Sequence, residues 1–261
     1  MTKKGNERIE KLIKESGNNF HYQVVNFLRE KAWTVLVSPY YNDSLSDKSK
    51  EIDIVAEKII NIKDKVFGTT FGQLKIRFFI ECKYINNDIA FWFDERDKNK
   101  ARELVIKSTP LKENNSFTDK HHYLVDQPVA KLFSSNANKE DVIYKALSQS
   151  LNSMIYFEGN RIIVGEDFRS ENYYTIKYPI ILCNGFSKFY KVEGSDYSPI
   201  DYNFQLEVNY AYLDKNKNSR NDYHLIDIID FNKLDNFLID LENADISAIS
   251  EVLAWDWKNN N

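Results

Sequence analysis

Apolar residues recur along this chain at two spacings. Over 19–31 they fall three or four positions apart, at Phe20, Val24, Phe27 and Leu28, which predicts a helix capped by Asn18 or Asn19. A shorter helix is predicted over 5–16, set off by Gly17-Asn18. The run "WTVLVSPYY" (33–41) is β-branched and aromatic and predicts a strand, followed by a polar loop over 42–50. "EIDIVAEKII" (51–60) alternates as a strand does, and "VFGTTFG" turns it toward a second strand, "QLKIRFFIECKYI" (73–85). Helices are predicted over 93–107 and 138–157. In the latter, Ile143, Ala146, Leu147, Leu151 and Met154 share one face, Asn138 is the expected cap, and Glu140 and Asp141 suit the first turn. Strands near 177–185, 187–193, 203–212 and 223–230 and a helical stretch over 232–255 complete the pattern. Helix, three strands, helix, then strands is an α/β order.

Composition narrows the picture. The 261 residues are 43% hydrophobic and 14% aromatic, enough for one large domain or two modest ones. No run approaches the length of a membrane span, and the charged start "MTKKGNERIEKLIKE" lacks the apolar stretch of a signal peptide. The two cysteines, Cys82 and Cys183, lie far apart in apolar runs, as buried reduced thiols of a cytoplasmic protein do. A net charge of −4 gives no support to a uniformly basic nucleic-acid surface, though a local groove is compatible with it.

Candidate chemistry starts from two charges inside the apolar run "RFFIECKYI" (77–85). Residues two apart in a strand share a face, so Glu81 and Lys83 stand side by side, away from Ile80, Cys82 and Tyr84. Burying a charge is costly unless it is paired or meets a metal. In the preceding strand Glu51, Asp53 and Val55 share a face, and the 28 positions from Asp53 to Glu81 suffice for a hairpin. Asp53 and Glu81 would then supply hard oxygen ligands for Mg²⁺ or Mn²⁺, with the backbone carbonyl of Cys82 as a third. Lys83 would orient a water or neutralise charge developing on a phosphorane.

The ordered set of a helix, "EIDIVA", an apolar strand ending Glu81-Cys82-Lys83 and a later helix resembles the PD-(D/E)XK nuclease superfamily, in its restriction-endonuclease-like, Mrr-type branch. The resemblance covers about residues 10–157. It implies a central mixed β-sheet flanked by helices in a nuclease core over 1–157, followed by a strand-rich extension over 158–261 that ends in a helix. It also implies a magnesium-dependent endonuclease or other hydrolase acting on DNA, in prokaryotic antiviral defence or restriction. Asp53, Glu81 and Lys83 would be the catalytic residues, with Gln149 contacting the DNA backbone or a metal-bound water. Relatives often carry a glutamate after the first-helix phenylalanine, where this chain has His21. Relatives also pair a glutamine and a tyrosine four apart on the later helix, whereas here Gln149 and Tyr156 are seven apart.

The chain holds no G-x-x-x-x-G-K-[ST] loop, so a motor would be an ATPase or helicase partner protein, and 158–261 is a candidate docking or target-reading module. A catalytically inactive relative that binds nucleic acid or a protein partner is the alternative, with His21 as its support. "HHY" (121–123) reads as part of a polar loop, and "AFWF" (90–93) as core or interface rather than a base-stacking platform.

Overall fold

The computed structural model describes residues 9–10, 12–13, 17–43, 46, 48–63, 68–135, 141–158, 172–214 and 216–259. The helix predicted over 5–16 lies largely outside them, as does Asn138. In chain order the elements are α1 (Gly17–Glu30), β1 (Thr34–Val37), β2 (Tyr40–Asp43), β3 (Lys48–Glu51), β4 (Ile54–Lys63) and β5 (Thr70–Lys83). Next come β6 (Ile89–Asp94), α2 (Lys98–Ser108), β7 (Val129–Ser135) and α3 (Val142–Tyr156). The chain closes with β8 (Tyr173–Cys183), β9 (Phe189–Glu193), β10 (Asp196–Pro199), β11 (Phe204–Leu213), β12 (Ser219–Asp230), α4 (Leu234–Leu241) and α5 (Ser247–Asn259).

Ten strands form one mixed sheet in the order β1-β4-β5-β8-β12-β11-β7-β6-β9-β10, while β2 and β3 make a separate two-stranded ribbon. β5, β8 and β12 run parallel at its centre, and β4 lies antiparallel to β5. This is the α/β class that the chain pattern predicts, with the mixed sheet flanked by helices and the strand-rich C-terminal part that the resemblance implies. β8, β11 and β12 all come from beyond residue 157. β8 pairs with β5 from Gln73↔Tyr173 to Lys83↔Cys183, so the sheet runs across the boundary expected there.

Both faces of the central strands are covered, which explains their nearly continuous apolar sequences. On one face Ile76, Phe78 and Ile80 of β5, Ile176 and Ile180 of β8 and Leu225 and Ile229 of β12 pack against α1, α2, α4 and α5. On the other, Ile181, Cys183, Ile226 and Ile228 meet α3 through Ile143, Leu147 and Leu151. Cys82 and Cys183 are free thiols; Cys183 is buried as the sequence predicts, whereas Cys82 is half-buried. Among the described residues no helix is long and apolar enough to cross a membrane.

Several boundaries differ from the predicted ones for identifiable reasons. The helix expected from 93 begins at Lys98, because Asp97 caps it through the Lys100 amide at 3.1 Å and "AFWF" belongs to β6. α3 begins at Val142, with Asp141 accepting the amides of Ile143 and Tyr144. The last helical stretch is interrupted by a π-helical turn over Glu242–Ile246.

Gly72 marks a tight contact at the start of β5. A Cβ there would lie 2.4 Å from the Trp257 ring and 2.6 Å from the Asn172 carbonyl oxygen. Gly72→Ala is therefore expected to destabilise the protein by about 1–3 kcal/mol, as overpacking does. The reading is a lower urea midpoint at unchanged slope. A midpoint equal to wild type would show that α5 does not press on β5 in solution.

Candidate functional site

Asp53 owes its position to a break in two strands. The strand predicted over 33–41 is split into β1 and β2 at Ser38-Pro39, where Ser38 takes a left-handed φ of 53°. The strand predicted over 51–60 is split opposite it, at Ile52-Asp53. The backbones hold each other across the break. The Ser38 amide donates to the Asp53 carbonyl at 2.8 Å, and the Ile52 amide to the Pro39 carbonyl at 3.2 Å. Residues 42–43 and 48–50 of the predicted polar loop instead belong to a two-stranded ribbon, with Tyr40↔Glu51 through Asp43↔Lys48 paired. Asp53 thus sits at a bend rather than mid-strand.

At that bend the Asp53 side chain faces the end of β5. The ladder between β4 and β5 stops at Ile54↔Ile80. Beyond it the Cys82 amide donates to Asp53 Oδ2 at 2.8 Å, and the Asp53 amide reaches Glu81 Oε2 at 3.4 Å. Among the described residues no hydrogen bond reaches Asp53 Oδ1. Lys83 Nζ lies 2.7 Å from Glu81 Oε1. Glu81 is buried while Lys83 and Asp53 are half-buried, so solvent reaches the site from the Lys83 side. Burial first, and the neighbouring Asp53 charge second, push the Glu81 carboxyl up to about 7 against the opposing effect of Lys83.

Glu81 and Lys83 share the face of Phe79, on which α3 packs, as strand alternation requires. α3 is pinned there by Ser150, whose hydroxyl donates to the Phe79 carbonyl at 2.9 Å. Immediately before it on the helix, Gln149 Nε2 donates to the Glu51 carbonyl at 2.9 Å, and its Oε1 is buried without a partner. The helix therefore brings Gln149 to the ribbon two residues from Asp53. Of the polar residues spaced along the helix with Gln149, Lys145 and Tyr156 are exposed but Asn152 is buried. Asn152 Nδ2 is 3.5 Å from Asp43, and its Oδ1 accepts from the Tyr210 hydroxyl at 3.0 Å. Asp43, at the end of β2, is buried and ion-paired with Lys50. His21 belongs to α1, which packs on the opposite face with Ile80, and its buried Nε2 has no partner.

Tyr41 is the residue that pattern reading missed. Its ring packs with Ile52, Val55 and Phe79, and its buried hydroxyl has no hydrogen-bond partner. Burial above all, then the charges of Asp43 and Glu81, raise its pKa. An alternating aromatic in a four-residue strand carries no signal that distinguishes such a position from ordinary core.

No protein-family model, curated protein or solved structure gives a significant match to the chain.

A second polar cluster lies inside the opposite core, where "HHY" had been expected in a polar loop. Two 3-10 turns, Thr118–Lys120 and His122–Leu124, drive His121 and Tyr123 into the protein, and the π-helical turn places Asp245 against them. His122 Nδ1 is 2.6 Å from Asp245 Oδ2, and its Nε2 is 3.2 Å from Asp227 Oδ1. Tyr178 donates to Asp245 at 3.0 Å, and Tyr123 to Asp227 at 3.1 Å. His121 Nδ1 accepts the Tyr123 amide at 3.2 Å, which leaves the proton of its neutral ring on Nε2, 3.2 Å from Asp245. One ligand atom each from His121, His122 and Asp245 fits within 4.8 Å, a spacing that could hold a metal ion. The contacts between them also make a closed hydrogen-bonded network without one. Burial alone would depress the His122 pKa, but Asp245 and Asp227 raise it to about 10. Burial holds His121 at about 4, and Asp245 falls to about 2 because its histidine partners outweigh its burial.

These shifts fix a pH dependence of stability. His122 is raised above its unfolded value, so its contribution is complete below about pH 6.5 and is lost as pH rises toward 10. Asp245 is lowered, so its contribution is present above about pH 4 and is lost as pH falls toward 2. Between pH 7 and 9 stability should fall with a slope of at most about 1.4 kcal/mol per pH unit from His122. Urea titrations of wild type and His122→Gln over that range test it. A slope unchanged in the variant would mean that His122 is neutral in the fold.

Proposed function

We propose that the chain is a metal-dependent nuclease that hydrolyses phosphodiester bonds, with DNA as the expected substrate. The observation that supports this best is the convergence of Asp53, Glu81 and Lys83 at the bend. An acidic residue at the start of one strand and an acid-x-lysine at the end of its antiparallel neighbour meet within hydrogen-bonding distance. The order of α1, β1, β4, β5, α3 and β8 around that point agrees with the PD-(D/E)XK resemblance.

The donor set fits a hard divalent cation. Asp53 keeps one carboxylate oxygen without a hydrogen bond, Glu81 offers a second carboxylate, and the Gln149 amide oxygen is buried without a partner nearby. Mg²⁺ or Mn²⁺ would be held by Asp53 and Glu81, with the Cys82 carbonyl as the expected third ligand. When bound, such an ion supplies Lewis-acid activation of water and neutralises charge on phosphate oxygens. The protein's own groups account for the rest. Lys83 carries its protons beside Glu81 and can hydrogen-bond an attacking water or the non-bridging oxygens of the reacting phosphate. Gln149 holds the ribbon backbone, and through it the bend that aims Asp53. The cysteine amide bonded to Asp53 fixes which oxygen faces outward.

The test is cleavage of supercoiled plasmid, linear duplex, single-stranded DNA and RNA with Mg²⁺ or Mn²⁺. Asp53→Ala and Lys83→Ala are each expected to lower the rate by about 100-fold or more. Lys83→Ala should unfold close to wild type, and Asp53→Ala should be about 1–3 kcal/mol less stable, because it strands the Cys82 amide. Pure wild type that binds Mn²⁺ through Asp53 but cleaves nothing would indicate a missing partner, such as an ATPase or helicase. Wild type that neither cleaves nor binds Mn²⁺ would leave a buried ionic network and no nuclease.

A further inference from the structure

The central sheet forks. β8 and β12 pair only from Ile180↔Asp227 to Cys183↔Asp230. On the outer side of each, pairing continues much further: β5 follows β8 back to Tyr173, and β11 follows β12 back to Ser219. Away from the short joint the two half-sheets separate. A cleft of about 400 Å³ lies between them, bordered by α2 and the end of α3. That volume falls within the range of small-molecule sites and matches a ligand of modest size.

Four tyrosines, Tyr123, Tyr174, Tyr212 and Tyr223, stand among the residues that line it. Three of their hydroxyls are already bound elsewhere: Tyr123 to Asp227, Tyr212 to Asp222 and Tyr223 to Glu207. What these three residues have left to offer is ring surface, which favours a flat partner. His224, on β12, also lines the cleft. It is 9% exposed, and its Nε2 is buried with no hydrogen-bond partner. Buried polar atoms are nearly always partnered, so this one calls for a ligand atom. Burial keeps the ring neutral near pH 7, its pKa held at about 4 with Asp222, Lys107 and Glu158 as the facing charges. A neutral imidazole serves a neutral polar edge.

The charged groups of the cleft cancel. Lys177 pairs with Glu158 at 2.9 Å, Lys107 stands 3.8 Å from Asp222, and Lys100 and Glu103 complete the set. Strong selection for a polyanion is therefore absent. We propose that the fork binds a nucleobase, stacked between tyrosine rings with one edge hydrogen-bonded to His224. The base is carried on a nucleoside, a mononucleotide or the end of a strand. This site is separate from Asp53, Glu81 and Lys83, and it stands whether or not they cut nucleic acid.

Calorimetry on the full chain tests it, with adenosine, guanosine, cytidine, uridine and thymidine, their 5′-monophosphates and dinucleotides. Free tryptophan serves as a flat aromatic without the edge of a base. At least one base should bind, and His224→Phe and Tyr212→Ala should each weaken it about tenfold, the effect of one lost hydrogen bond or stacking surface. Asp53→Ala should bind as wild type does. Binding of the nucleoside itself identifies a free small molecule, and binding of the dinucleotide alone identifies a strand end. Either result supports the site. The proposal is overturned if no base binds at millimolar concentration, if tryptophan binds equally well, if binding is lost in Asp53→Ala, or if affinity is unchanged in His224→Phe or Tyr212→Ala. Should His224→Phe fail to fold, unchanged affinity in Tyr212→Ala alone is enough to reject the proposal.

Discussion

One hydrogen bond organises the candidate site: the amide of Cys82 donating to the carboxylate of Asp53. β4 stops pairing with β5 at Ile54↔Ile80, so the last residues of β5 extend past their neighbour on that side. A backbone donor inside a sheet covered on both faces must find a partner or cost about 1–3 kcal/mol. Here the partner is a side chain placed by the bend at Ser38-Pro39 and Ile52-Asp53. The same bend swings the β2–β3 ribbon onto α3, where Gln149 and Asn152 receive it. Completing a strand end and assembling an acidic site are thus a single event in the fold.

The protein handles buried charge in two distinct ways. On β4 and β5, Glu57 and Arg77 are direct cross-strand partners, 2.5 Å apart. Under α4 and α5, His122 is held between Asp227 and Asp245 and ties three remote segments into one network. In both places each charge meets an opposite one, as a low-dielectric interior demands. Glu81 differs, because it has Asp53 beside it as well as Lys83. Burial and that like charge hold the Glu81 carboxyl up, whereas Asp245 is held low by its histidine partners.

Much of the central architecture was legible because its strands are buried on both sides and its helices are amphipathic. Asp53, Glu81 and Lys83 could be grouped from alternation and spacing alone, since a hairpin brings its two arms together. The split of two strands was not legible. It depends on Ser38 adopting a positive φ before a proline, and on amides that pair across the break. "HHY" looked polar because its partners, Asp227 and Asp245, lie more than a hundred residues away. The central place of β8 and β12 was likewise hidden, since strand order within a sheet leaves no trace in local periodicity.

The two ends of the ten-stranded sheet are β1 and β10, each four residues long. Every residue of β10 is exposed, and the strand ends at Pro199, which has no amide to offer. β1 gives way at once to the bend. Short, exposed or proline-ended outer strands are among the features by which sheets discourage edge-to-edge pairing. Those outer strands matter because the central ones, apolar on both faces, are the kind of sequence that pairs indiscriminately when exposed.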